Sequence, residues 1–150
     1  LTTPDRERAD LPWLIFLQGG PGFGAPRPDG SLEWIARAAQ DYRVLLLDQR
    51  GTARSTPINY QTLARFAIPI EQAAYLKHFR ADNIVRDAEH IRRELIGGER
   101  WSALGRSFGG FVITTYLSMA GDGLREAFIT GAIFSVTRAM SKSFTTSPRI

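Results

Sequence analysis

The residues best suited to covalent chemistry lie in the stretch ALGRSFGGF, residues 103–111, where Ser107 stands between Gly105 and Gly109 at G-x-S-x-G spacing. Glycine on both flanks suits a very tight turn, because backbone segments can then approach with no Cβ between them. One apolar run precedes this turn and another follows it, so the serine falls where a strand ends and a helix begins. A nucleophile elbow requires that setting: the hydroxyl projects above the carboxyl edge of a sheet, beside the first N–H groups of a helix, which can receive an oxyanion. The strained backbone of such a turn costs about 1–3 kcal/mol. The same five residues also fit an ordinary glycine-rich turn in which the serine caps its helix, and context has to decide between the two.

Part of that context is LQGGPGFG, residues 17–24, at the end of an earlier apolar run. Acyl transfer needs a second donor from the loop after that strand, to join the N–H of the residue following the serine. Two other readings fit the same glycines. One is a tight turn leading into a loop stiffened by Pro21, Pro26 and Pro28. The other is a dinucleotide site, since GPGFGA fits G-x-G-x-x-[GA] and Asp48 ends the next strand as a ribose-binding acid does. The prolines count against it, because the pyrophosphate needs a helix opening inside the glycine motif and the helix signal begins only at Ser31. No G-K-[ST] is present to support a P-loop. In DQRGTARS, residues 48–55, Asp48 and Arg50 are expected to hold their loop by hydrogen bonds to nearby backbone. His78 and His90 both precede Ser107 and read as surface histidines.

The elements that must position these residues follow from apolar patterning. PWLIFLQGG and YRVLLLDQRG have the length and bounding residues of strands buried on two faces, and SLEWIARAAQ between them has helical spacing with Ser31 as N-cap. Strand, helix, strand is a βαβ unit. After an irregular stretch with Pro57 and Pro69, residues 82–95 repeat apolar side chains at helical spacing until the glycines at 97 and 98. RWSALG predicts a third strand, FGGFVITTYLSMAG a second sheet-packed helix and LREAFITG a fourth strand. This alternation predicts an α/β fold with a mostly parallel sheet and helices on both faces.

The whole chain bounds these readings. Its 150 residues, 43% hydrophobic, suit one globular domain. A polar start, LTTPDRERAD, and the lack of any membrane-length apolar run predict a soluble, cytoplasmic protein with no membrane partner. Without cysteine there are no disulfides and no thiolate metal site, and no metal site is predicted. The net charge of +4 comes from basic residues scattered among acids, as in RADNIVRDAEHIRREL, which predicts a solvated helix face and no nucleic-acid partner. Glu126 is the last acidic residue, and residues 135–147 are dominated by Ser and Thr without apolar period. The expected division is therefore a domain at 1–131 and an atypical tail at 132–150 that reads as non-native sequence.

Taken in order and spacing, QGGPGFG, LLLDQRGTARS and GRSFGG resemble the proline iminopeptidase branch of the α/β-hydrolases, from about residue 12 to about residue 131. The resemblance implies the N-terminal part of an α/β-hydrolase fold, incomplete, with Ser107 as nucleophile. It implies an oxyanion hole from the N–H of Phe108 with Gly19 or Gly20. It implies removal of an N-terminal residue, typically proline, from short peptides without a cofactor. Gln18 stands where the family often has histidine, and Ala53 where it commonly has glycine. The family's order is serine, acid, histidine, yet no histidine follows Ser107 in these residues, and the cap that selects the substrate's amino end is expected to be missing from them. Such a chain is expected to be marginally stable and inactive alone. A nucleotide-binding βαβ module and a noncatalytic hydrolase remnant are the alternatives.

Overall fold

In the computed structural model, which describes residues 10–29 and 32–131, the apolar run WLIFL becomes an inner strand of a four-stranded, all-parallel sheet. β1 (Trp13–Leu17) pairs with β2 (Arg43–Leu47) on one side and β3 (Trp101–Arg106) on the other. β4 (Leu124–Thr130) lies beyond β3, giving the order β2-β1-β3-β4. Four of the five β1 residues are buried, as covering on both faces demands. β2 departs from its reading as a doubly buried strand: it is an edge strand among the described residues, and only Val44 in it is fully buried.

Alternation along β1 sorts its side chains between two cores. Leu14 joins Val44 and Ala39 of α1 (Glu33–Asp41) on one face. Ile15 and Leu17 join the other face, where two helices lie. In chain order the further helices are α2 (Tyr60–Leu63), α3 (Pro69–Leu76), α4 (Ala81–Ile96) and α5 (Phe108–Ala120); α4 and α5 make the second face. Helices thus cover both faces, as the alternating pattern predicts.

Two local readings need correction. Residues between Pro57 and Arg80 are not simply irregular, since Asn59 caps α2 by accepting from the Thr62 N–H at 2.9 Å and Pro69 opens α3 with its ready-made φ. Leu32, not Ser31, occupies the N-cap position of α1 and gives it no side-chain cap; Ser31 itself lies outside the described residues. The reading of 132–150 as an atypical tail also falls outside them.

The polar side of α4 is not wholly solvated either. Glu89 and Arg92 are each 8% exposed. Arg92 donates from Nε and Nη2 to the two Glu89 oxygens, both at 2.8 Å, and from Nη1 to the carbonyls of Gly98 and Glu99. The Tyr116 hydroxyl donates to Glu89 at 2.5 Å and accepts from the Trp101 indole N–H at 3.0 Å. A polar line therefore runs from α4 through α5 to β3. Arg92 beside it holds the Glu89 carboxyl below its ordinary range against the opposing effect of burial, with Tyr116 helping. Burial, then the neighbouring carboxylate, pushes the Tyr116 phenol well above its ordinary value.

Removing one member strands the others. Glu89→Ala should destabilise the fold by about 3 kcal/mol, because Arg92 keeps its buried charge without a counter-charge facing it. Tyr116→Phe should cost about 1–3 kcal/mol by leaving the Trp101 N–H unsatisfied. Urea unfolding at pH 7 measures both. Because the folded carboxyl is depressed, its contribution is present above the unfolded value of about 4.3 and is lost as pH falls through the folded one. Acid titration of the urea midpoint should therefore be shallower below about pH 4.3 in Glu89→Gln than in the unsubstituted chain.

Candidate active site

Only one residue separates β3 from α5, and it is Ser107. The chain must turn from strand to helix there, which puts Ser107 at φ 53° and ψ −116°, a conformation rarely adopted by a side-chain-bearing residue. The flanking glycines are required by contact. A Cβ on Gly105 would overlap the Gly109 carbonyl in the first turn of α5. A Cβ on Gly109 would overlap the Leu17 carbonyl at the end of β1. The Ser107 N–H donates to the Thr130 carbonyl at 2.8 Å, and the Ser107 carbonyl accepts from Gly110 at 2.9 Å and Phe111 at 3.2 Å. Its hydroxyl makes no capping bond to α5, and the residue is exposed.

The loop after β1 runs directly past this turn. A Cβ on Gly19 would lie 2.9 Å from the Arg106 carbonyl and 3.0 Å from the Ser107 Cβ, so only glycine lets the loop come this close. Gly20 follows at φ 124°. The Gly19 N–H donates to its neighbour's side chain, Gln18 Oε1, at 2.9 Å. The N–H groups of Gly20 and Phe108 have no acceptor among the described residues. The sequence places Ser107, Gly19, Gly20 and Phe108 together, and the structure brings all four to one place. That place is the point where the connection leaving β1 and the connection leaving β3 go to opposite faces, the crevice in which open parallel sheets bind ligands. A cleft of about 270 Å³ opens beside it, lined by Gly19 and Phe108 together with Phe23, Gln49, Leu76 and Phe79, with Ser107 and Gly20 just outside its lining.

The loop after β2 fixes the neighbouring wall. Asp48 accepts from the Ala25 N–H at 2.9 Å, from Arg27 Nη2 at 2.6 Å and from the Arg54 N–H at 3.4 Å. Burial works to raise its carboxyl, but these donors outweigh it and hold the group below its ordinary range. Arg50 chelates Asp87 and donates to the His78 carbonyl at 2.7 Å. Asp48 holds backbone as the sequence predicts, Arg54 nearby and Ala25 far along the chain, whereas Arg50 departs from that reading by reaching the distant Asp87 side chain and His78 carbonyl; Asp48 is not free for a ribose. GPGFGA opens no helix, since α1 starts only at Glu33. His78 and His90 are both exposed.

Sequence reasoning passed over Gln49. It is 4% exposed and donates from Nε2 to the Gln18 main-chain carbonyl at 2.8 Å, joining the two loops. Its only signal was its position, a polar residue two past the end of a strand.

A family model described as alpha/beta hydrolase fold matches residues 12–147. The chain belongs to that family. Among its relatives, this α/β-hydrolase chain is 54% identical over 144 residues to a proline iminopeptidase of Aeromonas sobria, covering 96% of this chain and 34% of that protein. It is 46% identical over 130 residues to a proline iminopeptidase of Aspergillus aculeatus, covering 81% of this chain and 28% of that protein. Among solved structures, a proline iminopeptidase-related protein from Thermus thermophilus superposes with a TM-score of 0.57 at 25% identity, covering 82% of this chain and 37% of that one. The resemblance to the proline iminopeptidase branch is thus shown, and the chain spans about a third of the length of the curated relatives it matches.

Ala53, the hydrolase chain's departure from the usual glycine, sits at φ 40°. Its Cβ is accommodated because Gly24 opposite has none: a Cβ there would lie 2.5 Å from that of Ala53. Left-handed backbone costs an L-residue about 1–2 kcal/mol, which the extra unfolded-state freedom of glycine only partly offsets. Ala53→Gly should therefore raise stability by about 0.5–1 kcal/mol, read as a higher urea midpoint with unchanged slope.

Proposed function

We propose that this chain carries the nucleophile and oxyanion donors of a serine aminopeptidase that removes an N-terminal residue, proline above all, from short peptides in the cytoplasm. One observation carries the reading. Ser107 sits in strained left-handed backbone with a hydroxyl that does not cap the helix it precedes, which is what the elbow reading requires and the capping reading does not. The names of the relatives supply the substrate class. For location, no helix among the described residues is long and apolar enough to cross a membrane, which is compatible with the cytoplasm.

In this reading the Ser107 Oγ adds to the carbonyl carbon of the N-terminal residue as its proton passes to a base, and the carbonyl oxygen becomes an oxyanion. The N–H of Phe108 and that of Gly20 receive it; Gly19 is the weaker candidate because its N–H already donates to Gln18. The C–N bond then breaks, the leaving amine takes the proton, and water releases the acyl group by the same steps. Serine is a weak nucleophile until a base takes its proton. The sequence holds two histidines, both exposed and both before Ser107, and His90 would have to leave α4 to reach it. A hydrolase remnant without catalysis is the second reading.

Two polypeptides separate these readings. The 150-residue chain should release chromophore from a proline N-terminal amide no faster than its Ser107→Ala variant. A chimera with residues 12–131 in place of the matching segment of the Aeromonas sobria relative should turn over within about 1–10³ per second. Ser107→Ala in that chimera should lower turnover by at least about 10³-fold. A folded but inactive chimera would favour the remnant.

A further inference from the structure

Two consecutive glycines are needed beside the nucleophile, Gly19 for close approach and Gly20 for its positive φ, and together they make the loop conformationally loose where an oxyanion donor must be aimed. Something outside the pair has to fix the peptide planes. Leu17 is the last residue of β1 in register with its neighbours, so Gln18 lies just past the end of the strand. Its carbonyl does not go unpaired. On one side the Gly109 backbone packs so closely that a Cβ there would lie 3.1 Å from the Gln18 oxygen. From the loop after β2, Gln49 Nε2 donates to that oxygen at 2.8 Å.

Gln49 is itself held. Its own carbonyl accepts from the Thr52 hydroxyl at 2.7 Å and from the Thr52 N–H at 3.0 Å, and Thr52 is 6% exposed. A buried side chain on a braced turn thus reaches across to one main-chain oxygen. In a planar trans peptide the C=O and N–H point opposite ways, so fixing the Gln18 oxygen also fixes the direction of the Gly19 N–H. That N–H is closed off by Gln18 Oε1. With both ends of the Gln18–Gly19 peptide engaged, the next N–H along the chain, that of Gly20, is the one left to face a substrate.

We infer that Gln49 is a positioning residue for the oxyanion hole, aiming the Gly20 N–H by pinning the Gln18–Gly19 peptide while touching no reacting atom. This rests on the aminopeptidase reading of Ser107, and the test has one arm that does not. In the first arm, the 150-residue chain labelled with ¹⁵N-glycine is compared with Gln49→Met and Gln49→Glu by amide exchange and chemical shift at Gly19 and Gly20. Methionine keeps the length but cannot donate. Glutamate cannot donate when ionised and can when protonated. Gln49→Met should raise Gly19 exchange by about tenfold or more at every pH, as the freed peptide turns. Gln49→Glu should do so at neutral pH and recover protection as acid protonates it, a reversal that packing alone does not give. Where Gln49→Met fails to fold, the Gln49→Glu titration carries the comparison.

In the second arm, the chimera with the Aeromonas sobria relative should lose about 10²-fold in kcat on Gln49→Met with KM little changed, the size expected of a donor displaced by about an ångström. Gly19 and Gly20 signals unmoved in both variants, or a kcat unmoved by Gln49→Met, would overturn the inference. A folded chimera without activity, with Gln49 intact, would instead overturn the aminopeptidase reading, and the exchange result would still decide what Gln49 holds.

Discussion

The contact on which the rest of this structure depends is made of backbone alone. The Gly109 Cα in the first turn of α5 lies against the Leu17 carbonyl, and the Gly105 Cα at the end of β3 lies against Gly109. A helix seated this close to two parallel strands leaves space for a single residue between strand and helix, and that residue cannot hold an ordinary right-handed conformation. The strain at Ser107 is therefore a consequence of sheet–helix packing. It is sustained by the buried core beneath it, where Ile15, Leu17 and Ala103 of the strands meet Val112 and Ile113 of α5.

From that contact the layout of the crevice follows. Once α5 is fixed to one face and α1 to the other, the loops leaving β1 and β3 diverge at the carboxyl edge, and the cleft lies beside that point, between the loops after β1 and β2 with Leu76 of α3, Ile84 of α4 and Phe108 of α5 in its walls. The loops among these walls are held by polar ties: Asp48 to the backbone of Ala25 and Arg54, Arg50 to Asp87 and the His78 carbonyl, Gln49 to the Gln18 carbonyl. Below the sheet, the Glu89, Arg92, Tyr116 and Trp101 line does the same for the scaffold that carries the turn.

What could be read from the sequence is what local chemistry specifies. Apolar runs made the strands legible, most plainly β1, which is buried along nearly its whole length because both its faces are covered. The G-x-S-x-G turn was legible because its glycines answer to steric contacts that no other residue satisfies. Side-chain ties across loops were less so. Asp48 and Arg50 were expected to hold backbone, but their particular partners lie 23 and 28 residues away at Ala25 and His78, and no short-range pattern encodes such distances. Gln49 was missed for the same reason. Glu89 and Arg92 were misread because their spacing on α4 is that of any surface ion pair, and only the neighbouring α5 and β3 make it a buried one. The edge position of β2 among the described residues, where it is half-covered, depends on strand order and not on local pattern.

The hydrogen bond from the Ser107 N–H to the Thr130 carbonyl has a consequence in time. A ribosome that has just made the turn has not yet made what ties it down. α5 comes next, and only then β4, whose last residue provides the acceptor; a parallel neighbour cannot arrive without such a crossover. Until that strand docks, the turn has its glycines and its helix but no partner for its own amide. On a growing chain the serine is thus synthesised well before its backbone is secured, and its geometry becomes that of the folded site only when the downstream strand reaches the sheet.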